Sequence, residues 1–207
     1  MTYPTIVDPE RIEAESFRII EAELGPHPFT PEQFQIVRRV IHASADFEFA
    51  RQLRFHPLAI ASGIEALRRG VDVVADVEMV QAGVSKVGLA RFGGTVRCFI
   101  SDEDVIREAK AAGVTRAIIS MRKATRQVKG GVYAIGNAPT ALFELIRLIE
   151  IGEAAPDLVI GVPVGFVSAA ESKEALSAVD TPFITALGRK GGTPTAVATV
   201  NALLRMA

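Results

Sequence analysis

The chain has 207 residues, 49% of them hydrophobic and 23% charged, with a formal net charge of −1 and a single cysteine, Cys98. This length suits one α/β domain with a sizeable core. The near-zero charge argues against nucleic acid as a partner, and one thiol excludes an internal disulfide or an all-cysteine metal site. No stretch approaches the roughly 20 apolar residues of a membrane span. Met1-Thr-Tyr-Pro has no basic segment followed by an apolar one, so no secretion signal and a cytoplasmic location are expected.

In chain order, apolar spacing predicts a helix over 10–23 (Ile12, Phe17, Ile19, Ile20) with acidic residues in its first turn, ended by Gly25-Pro26-His27-Pro28. Thr30-Pro31-Glu32-Gln33 is a helix start with an N-cap, a proline at the first position and a capping-box glutamine. That helix runs through Phe34, Val37 and Ile41 and ends near His42–Asp46. His56-Pro57 opens another helix, to Gly70. Val71–Asp76 reads as the first parallel strand, 79–84 as a short helix and Thr95–Ile100 as the next strand. Ser101 is expected to cap a helix with Glu103 and Asp104 in its first turn, and Gly113 separates that helix from one over 115–127. Strand 132–136, helix 139–151, strand 158–162, helix 168–178, strand 183–187 and helix 192–205 follow in alternation.

Alternation of this kind implies right-handed crossovers and a mostly parallel sheet covered on both faces: a three-layer α/β/α fold with five strands. No linker divides the chain, so residues 1–207 are expected to form one domain. Residues 1–55 should be helical and pack on the sheet or on a second subunit.

Three strand-to-helix junctions stand out. Ala134-Ile-Gly-Asn-Ala-Pro-Thr-Ala141 combines a buried strand end with Gly136 and Asn137, which suit unusual backbone angles, and Pro139, which suits a helix start. The others are Gly161-Val-Pro-Val-Gly-Phe-Val167, followed by Glu171-Ser-Lys173, and Gly188-Arg-Lys-Gly-Gly-Thr193. Open α/β sheets bind ligands at the carboxyl ends of their strands, facing unpaired helix amides. The junctions therefore suggest one large pocket along one sheet edge.

Arginines and lysines cluster at 38–54, 116–129 and 189–190. Either they form a solvated face, or they clamp an anionic small molecule, since Arg matches carboxylate and phosphate oxygens two at a time. Of the histidines, His27 and His56 sit in proline-flanked turns and read as structural or solvent-exposed. His42 lies at a helix end beside Ala43, Ser44 and Ala45, where small neighbours leave room for a substrate. It is either a proton-transfer group or a histidine that interacts with the helix dipole. His42 and Asp46 are four apart, but no third ligand accompanies them, so no metal site is expected. Gly-x-Ser-x-Gly, Gly-x-Gly-x-x-Gly and Walker motifs are missing, which disfavours a serine hydrolase or a nucleotide-binding module.

Taken in order, Ile41-His-Ala-Ser, Asp76-Val-Glu-Met-Val80, Gly83-Val-Ser85, Thr115-Arg116, Ala134–Leu142, Gly161–Val167 with Glu171-Ser-Lys173, and Gly188–Gly192 with Asn201-Ala-Leu203 closely resemble the precorrin-8X methylmutases, including the cobalt-precorrin-8 methylmutases. The resemblance spans nearly the whole chain. It implies a flavodoxin-like fold, a homodimer with pockets near the subunit interface, and an isomerase of cobalamin biosynthesis. Such an enzyme moves a methyl group from carbon eleven to carbon twelve of precorrin-8X or cobalt-precorrin-8, giving hydrogenobyrinate or cobyrinate, without a cofactor. A non-catalytic corrinoid carrier is the alternative. The family's catalytic histidine falls on His42, as proton donor. For a polyacidic, roughly planar ring, Arg116 is the first expected carboxylate clamp, then Arg189 and Lys190. Backbone amides after Asn137 (Ala138, Thr140) and those of Gly191 and Gly192 would take further carboxylates. Ser16 and Ser85 would add polar contacts. Val162, Val164 and Phe166, with Gly165 between, would form an apolar floor or plain sheet core.

Overall fold

The computed structural model describes residues 6–207; Met1-Thr-Tyr-Pro, read above for a leader, lies outside the described residues. The element order is α1 (Pro9–Leu24), α2 (Pro31–Ser44), α3 (Phe49–Gln52), β1 (Leu53–Phe55), α4 (Ala59–Arg68), β2 (Val73–Ala75), α5 (Glu78–Gly83), α6 (Lys86–Ala90), β3 (Val96–Arg97), α7 (Glu103–Ala112), α8 (Arg116–Gln127), β4 (Val132–Ile135), α9 (Pro139–Glu150), β5 (Leu158–Gly161), α10 (Ala169–Ser177), β6 (Phe183–Ala186) and α11 (Thr193–Met206).

The expected three-layer α/β/α fold is present, but the sheet has six strands rather than five, in the order β1-β6-β5-β4-β2-β3. The extra strand, β1, comes from the segment expected to be purely helical. It is only Leu-Arg-Phe long and pairs antiparallel with β6, Leu53 opposite Ala186. Three residues carry no readable alternation, so tertiary pairing decides their state. The other strands pair in parallel.

Helix ends follow the sequence signals in most places. Thr30 and Gln33 complete a capping box: the Gln33 amide donates to Thr30 Oγ1 (3.2 Å) and the Thr30 amide to Gln33 Oε1 (3.1 Å). The start of α7 differs from expectation. Its N-cap is Asp102, not Ser101, and makes no side-chain cap bond, because its carboxylate pairs with Lys123 at 2.7 Å.

Alternate strand residues feed two cores. Val73, Ala75, Val132, Ala134, Leu158, Ile160, Ile184 and Ala186 face α1, α2, α4, α5, α6 and α11. Val74, Tyr133, Ile135, Val159 and Phe183 face α7, α8, α9 and α10. All these strand residues are buried, as a sheet covered on both sides requires.

Helix α2 ends on Ala45, which holds a left-handed backbone (φ 53°, ψ 27°) while its amide donates to Ile41 O at 2.7 Å. A side chain at that position costs free energy that glycine avoids. Ala45→Gly is therefore expected to raise stability by about 0.5–1 kcal/mol. Urea denaturation checks it, and an unchanged or lower midpoint contradicts it.

Candidate active site

Because β2, β4, β5 and β6 run parallel, their carboxyl ends share one edge, and the three glycine-bearing junctions lie along it. Backbone hydrogen bonds lace neighbouring turns together. Val162 N donates to Ile135 O (2.9 Å), Gly192 N to Val162 O (2.8 Å) and Gly165 N to Arg189 O (3.2 Å). Gly191 sits so close to the 161–167 loop that a Cβ there would lie 2.2 Å from Val162 O, so only glycine fits without moving backbone. The antiparallel β1 starts where β6 ends. Its register, with Leu187 N donating to Gln52 O (2.9 Å), brings the end of α2 and the loop after it to this same edge.

His42 lies in the last turn of α2 and is exposed. Its ring packs in a T-shaped arrangement with the Phe17 ring, with centroids 5.4 Å apart at 73°, a contact that helps orient the imidazole. It lines an open groove of about 290 Å³ with Ser16, Ile19, Ile20, Glu23, Ile41, Ala45 and Phe47. Ser16 thus comes beside His42, though its hydroxyl donates to Ile12 O at 2.8 Å. The groove is built by α1, α2 and the loop after α2, and none of the glycine turns lines it. The single pocket expected along the whole edge is therefore not what lines His42. His56 is remote from this edge: its amide donates to Phe183 O at the opposite end of β6. His27 stacks on Phe34 with centroids 4.1 Å apart.

The 136–138 turn corrects one expectation. Its amides are not open to an external carboxylate, because buried Asp76, at the end of β2, already holds them. Gly136 N donates to Asp76 Oδ1 (3.0 Å), and Asn137 N and Ala138 N donate to Asp76 Oδ2 (2.8 Å each). β2 and β4 are adjacent strands whose following helices, α5 and α9, cover opposite faces of the sheet, which makes this the point where ligands of open α/β sheets ordinarily bind. Here the crevice is closed from within. Burial pushes the Asp76 carboxyl above its ordinary value, and the amides pull it back toward the ionised form. Asp76 appeared in the sequence only as part of a motif. A carboxylate just beyond a strand end, one strand from a Gly-Asn turn, was the available signal.

The cationic residues divide. Arg189 is exposed, with its guanidinium 5.5 Å from the centre of the Phe166 ring. Phe166 and Val164 are exposed as well, at 84% and 47%, whereas Val162 is core. The floor expected of these three residues is thus two exposed side chains and one buried one. Lys190 is occupied: its ammonium pairs with Asp46 Oδ2 at 2.5 Å and Glu48 Oε2 at 2.6 Å. Those contacts, the Asp46 bond first, hold the Lys190 ammonium above its ordinary value and the Asp46 carboxyl below its own. Lys173, named in the sequence only within Glu171-Ser-Lys173, is fully buried and donates to Lys190 O at 2.6 Å.

Arg116 begins α8 and is exposed. It is next to Thr115, whose Oγ1 lies 3.1 Å from Thr140 Oγ1, so the starts of α8 and α9 are joined. Ser85 is elsewhere in use: it caps α6, accepting from Gly88 N at 3.1 Å, and its amide donates to Asn201 Oδ1 at 2.9 Å. No cluster of three or more metal-ligating side chains occurs among the described residues, nor any helix long and apolar enough to cross a membrane.

A six-stranded three-layer α/β domain, with an exposed imidazole and mixed cationic and apolar groups at the carboxyl edge of its sheet, is the frame of a small-molecule enzyme. The precorrin-8X methylmutase family's sequence profile matches residues 11–206. A cobalt-precorrin-8 methylmutase of Priestia megaterium is 60% identical over 97% of this chain and 89% of its own length. One from Leptospira interrogans is 47% identical over 93% and 91%. The crystal structure of a precorrin-8x methyl mutase from Thermus thermophilus superposes with a TM-score of 0.89 at 40% identity, covering 95% of each chain. The chain belongs to the precorrin-8X methylmutase family, isomerases of cobalamin biosynthesis.

Two expectations follow from this edge. Asp76→Ala removes the partner of three amides and should cost about 3 kcal/mol or more in urea denaturation; a loss below about 1 kcal/mol contradicts the clamp. The second concerns Lys173. Burial pushes its ammonium down to about 8 from the ordinary 10.5, so between those values the unfolded chain binds more protons than the folded one. Stability contributed at this position is expected to rise with pH from 8 to 10.5, and the gap between wild type and Lys173→Met to move in the wild type's favour over that window. A gap that stays flat contradicts it.

Proposed function

We propose that this chain converts cobalt-precorrin-8 to cobyrinate by moving a methyl group from carbon eleven to carbon twelve of the macrocycle, with His42 as the proton donor. The cobalt-bearing substrate is preferred over metal-free precorrin-8X because relatives at 60% and 47% identity carry that name. The observation that carries the reading is the exposed His42 imidazole, in an open groove walled by α1, α2 and the loop after α2, whose Asp46 pairs with Lys190 of the 188–192 turn.

Substrate and product are isomers, so the balance closes within one molecule. The bond from carbon eleven to the methyl group breaks, the bond to carbon twelve forms, and the proton lent by His42 returns to it within the turnover. Protonation of the macrocycle draws electron density from the migrating centre and lowers the barrier. General acid assistance of this kind contributes about 10²–10⁴-fold, and holding the flexible ring in the migrating geometry supplies the rest. Exposed Arg116 and Arg189 would take peripheral carboxylates, and Phe166 and Val164 would lie against the apolar ring face. A groove of about 290 Å³ borders only part of a corrinoid. A second copy of the chain laid against exposed Ile12 and Ile19 of α1 would enclose the remainder, as a homodimer.

His42→Ala is expected to fold as the wild type does, to bind the corrinoid, and to lose about 10²–10⁴-fold in turnover, followed by the visible spectrum on addition of cobalt-precorrin-8. Near-full turnover in that variant overturns the acid role. Wild-type protein that gives a binding shift but no conversion is a corrinoid carrier instead.

A further inference from the structure

Lys190 is gripped at both its backbone and its side chain. At its carbonyl, buried Lys173 of α10 donates a 2.6 Å hydrogen bond. At its ammonium, Asp46 (2.5 Å) and Glu48 (2.6 Å) accept, 144 and 142 positions away in sequence (190 − 46 and 190 − 48). Asp46 is itself fixed, because its other carboxylate oxygen accepts from the Glu48 amide at 2.9 Å and its own amide donates to Ser44 Oγ at 3.3 Å. Ser44 ends the helix that carries His42, and its hydroxyl is anchored on Val40 O at 2.8 Å. An unbroken series of polar contacts therefore runs from α10 through Lys190 to the last turn of α2.

A lysine whose ammonium already meets two carboxylates is a poor clamp for a third, since a substrate carboxylate would have to displace one of them or share the charge. The same contacts suit a strap. They set the position of the His42 helix end relative to the 188–192 turn and the exposed Arg189 beside Lys190. We propose that Lys190 is a positioning residue: anchored by Lys173, it ties the His42 end of α2 to the glycine turn through Asp46 and Glu48, and it leaves the substrate's carboxylates to Arg189 and Arg116. This rests on the reading of His42 as the proton donor. A partly exposed ion pair adds little to global stability, whereas a displacement of about 1 Å at a reacting group lowers the rate up to about 10²-fold. Strap and clamp consequently leave opposite kinetic signatures.

The experiment compares Asp46→Asn/Glu48→Gln, Lys190→Met, their combination and Lys190→Arg with the wild type. The strap predicts that the first two each lower kcat about 10-fold, that KM changes less than about 3-fold, and that Tm moves no more than about 3 °C. The combination should be no worse than either alone, because both break one link, and Lys190→Arg should keep most of the turnover. Amide hydrogen exchange over residues 45–48 should quicken in the first two variants, a readout independent of turnover. If Asp46→Asn/Glu48→Gln lowers KM while Lys190→Met raises it at constant kcat, Lys190 binds substrate and the strap is wrong. Unchanged kinetics, or losses that multiply in the combination, overturn it as well. If the wild type shows no turnover but exchange quickens as described, the functional reading fails and the strap stands; unchanged exchange removes the strap whatever the turnover.

Discussion

The register of β1 on β6 decides where the imidazole lies. Leu53 opposite Ala186 fixes the antiparallel edge strand so that its start, not its end, meets the carboxyl edge of the parallel strands. The chain just before it, Asp46 to Gln52, must then cross that edge, and α2 must end there. A slip of one residue would turn every β1 side chain to the other face and carry Leu53 out of the core. Burial of Leu53 therefore holds the register, and the register places His42.

Positive potential at the edge is distributed with economy. The amides of the 136–138 turn, at the switch point where a doubly wound sheet offers its best anion site, are consumed by Asp76. Lys190 is consumed by Asp46 and Glu48. Arg189 and Arg116 remain exposed. Part of the internal charge at this edge is therefore already matched, while the Arg189 and Arg116 guanidiniums stay exposed. Such a surface favours orientation through a few points over a general electrostatic pull, which matches a chain with net charge −1.

Much of the fold was legible. Strands β2 to β6 and the longer helices between them followed from short apolar runs and helix starts, the five-residue α6 was not read, and Thr30 with Gln33 forms the capping box that their spacing specified. Local signals failed where non-local contacts decide. β1 is too short to show a period, and Asp102 yields its cap to Lys123. His42 stood out in the sequence as the histidine with small neighbours and by resemblance, and the fold leaves it exposed at the end of α2. The occupation of the 136–138 amides by a residue 60 positions earlier was not legible, and neither was the pairing of Lys190 with Asp46 across the chain. Both are contacts between strand-end loops that only the assembled sheet brings together. Lys173 was hidden for a related reason: a lysine in a polar helix segment reads as solvated until its burial under the 188–192 turn is seen.

The chain has three histidines, and the fold places His56 at the opposite end of β6 and His27 against Phe34. This makes one spectrum decisive: the histidine ring proton and carbon resonances recorded while the corrinoid product is titrated in. The account predicts that the His42 resonances shift or broaden with the stoichiometry of binding while those of His27 and His56 hold their positions. Movement of His56 or His27 with His42 unperturbed would put the ligand at another face of the molecule and contradict the account.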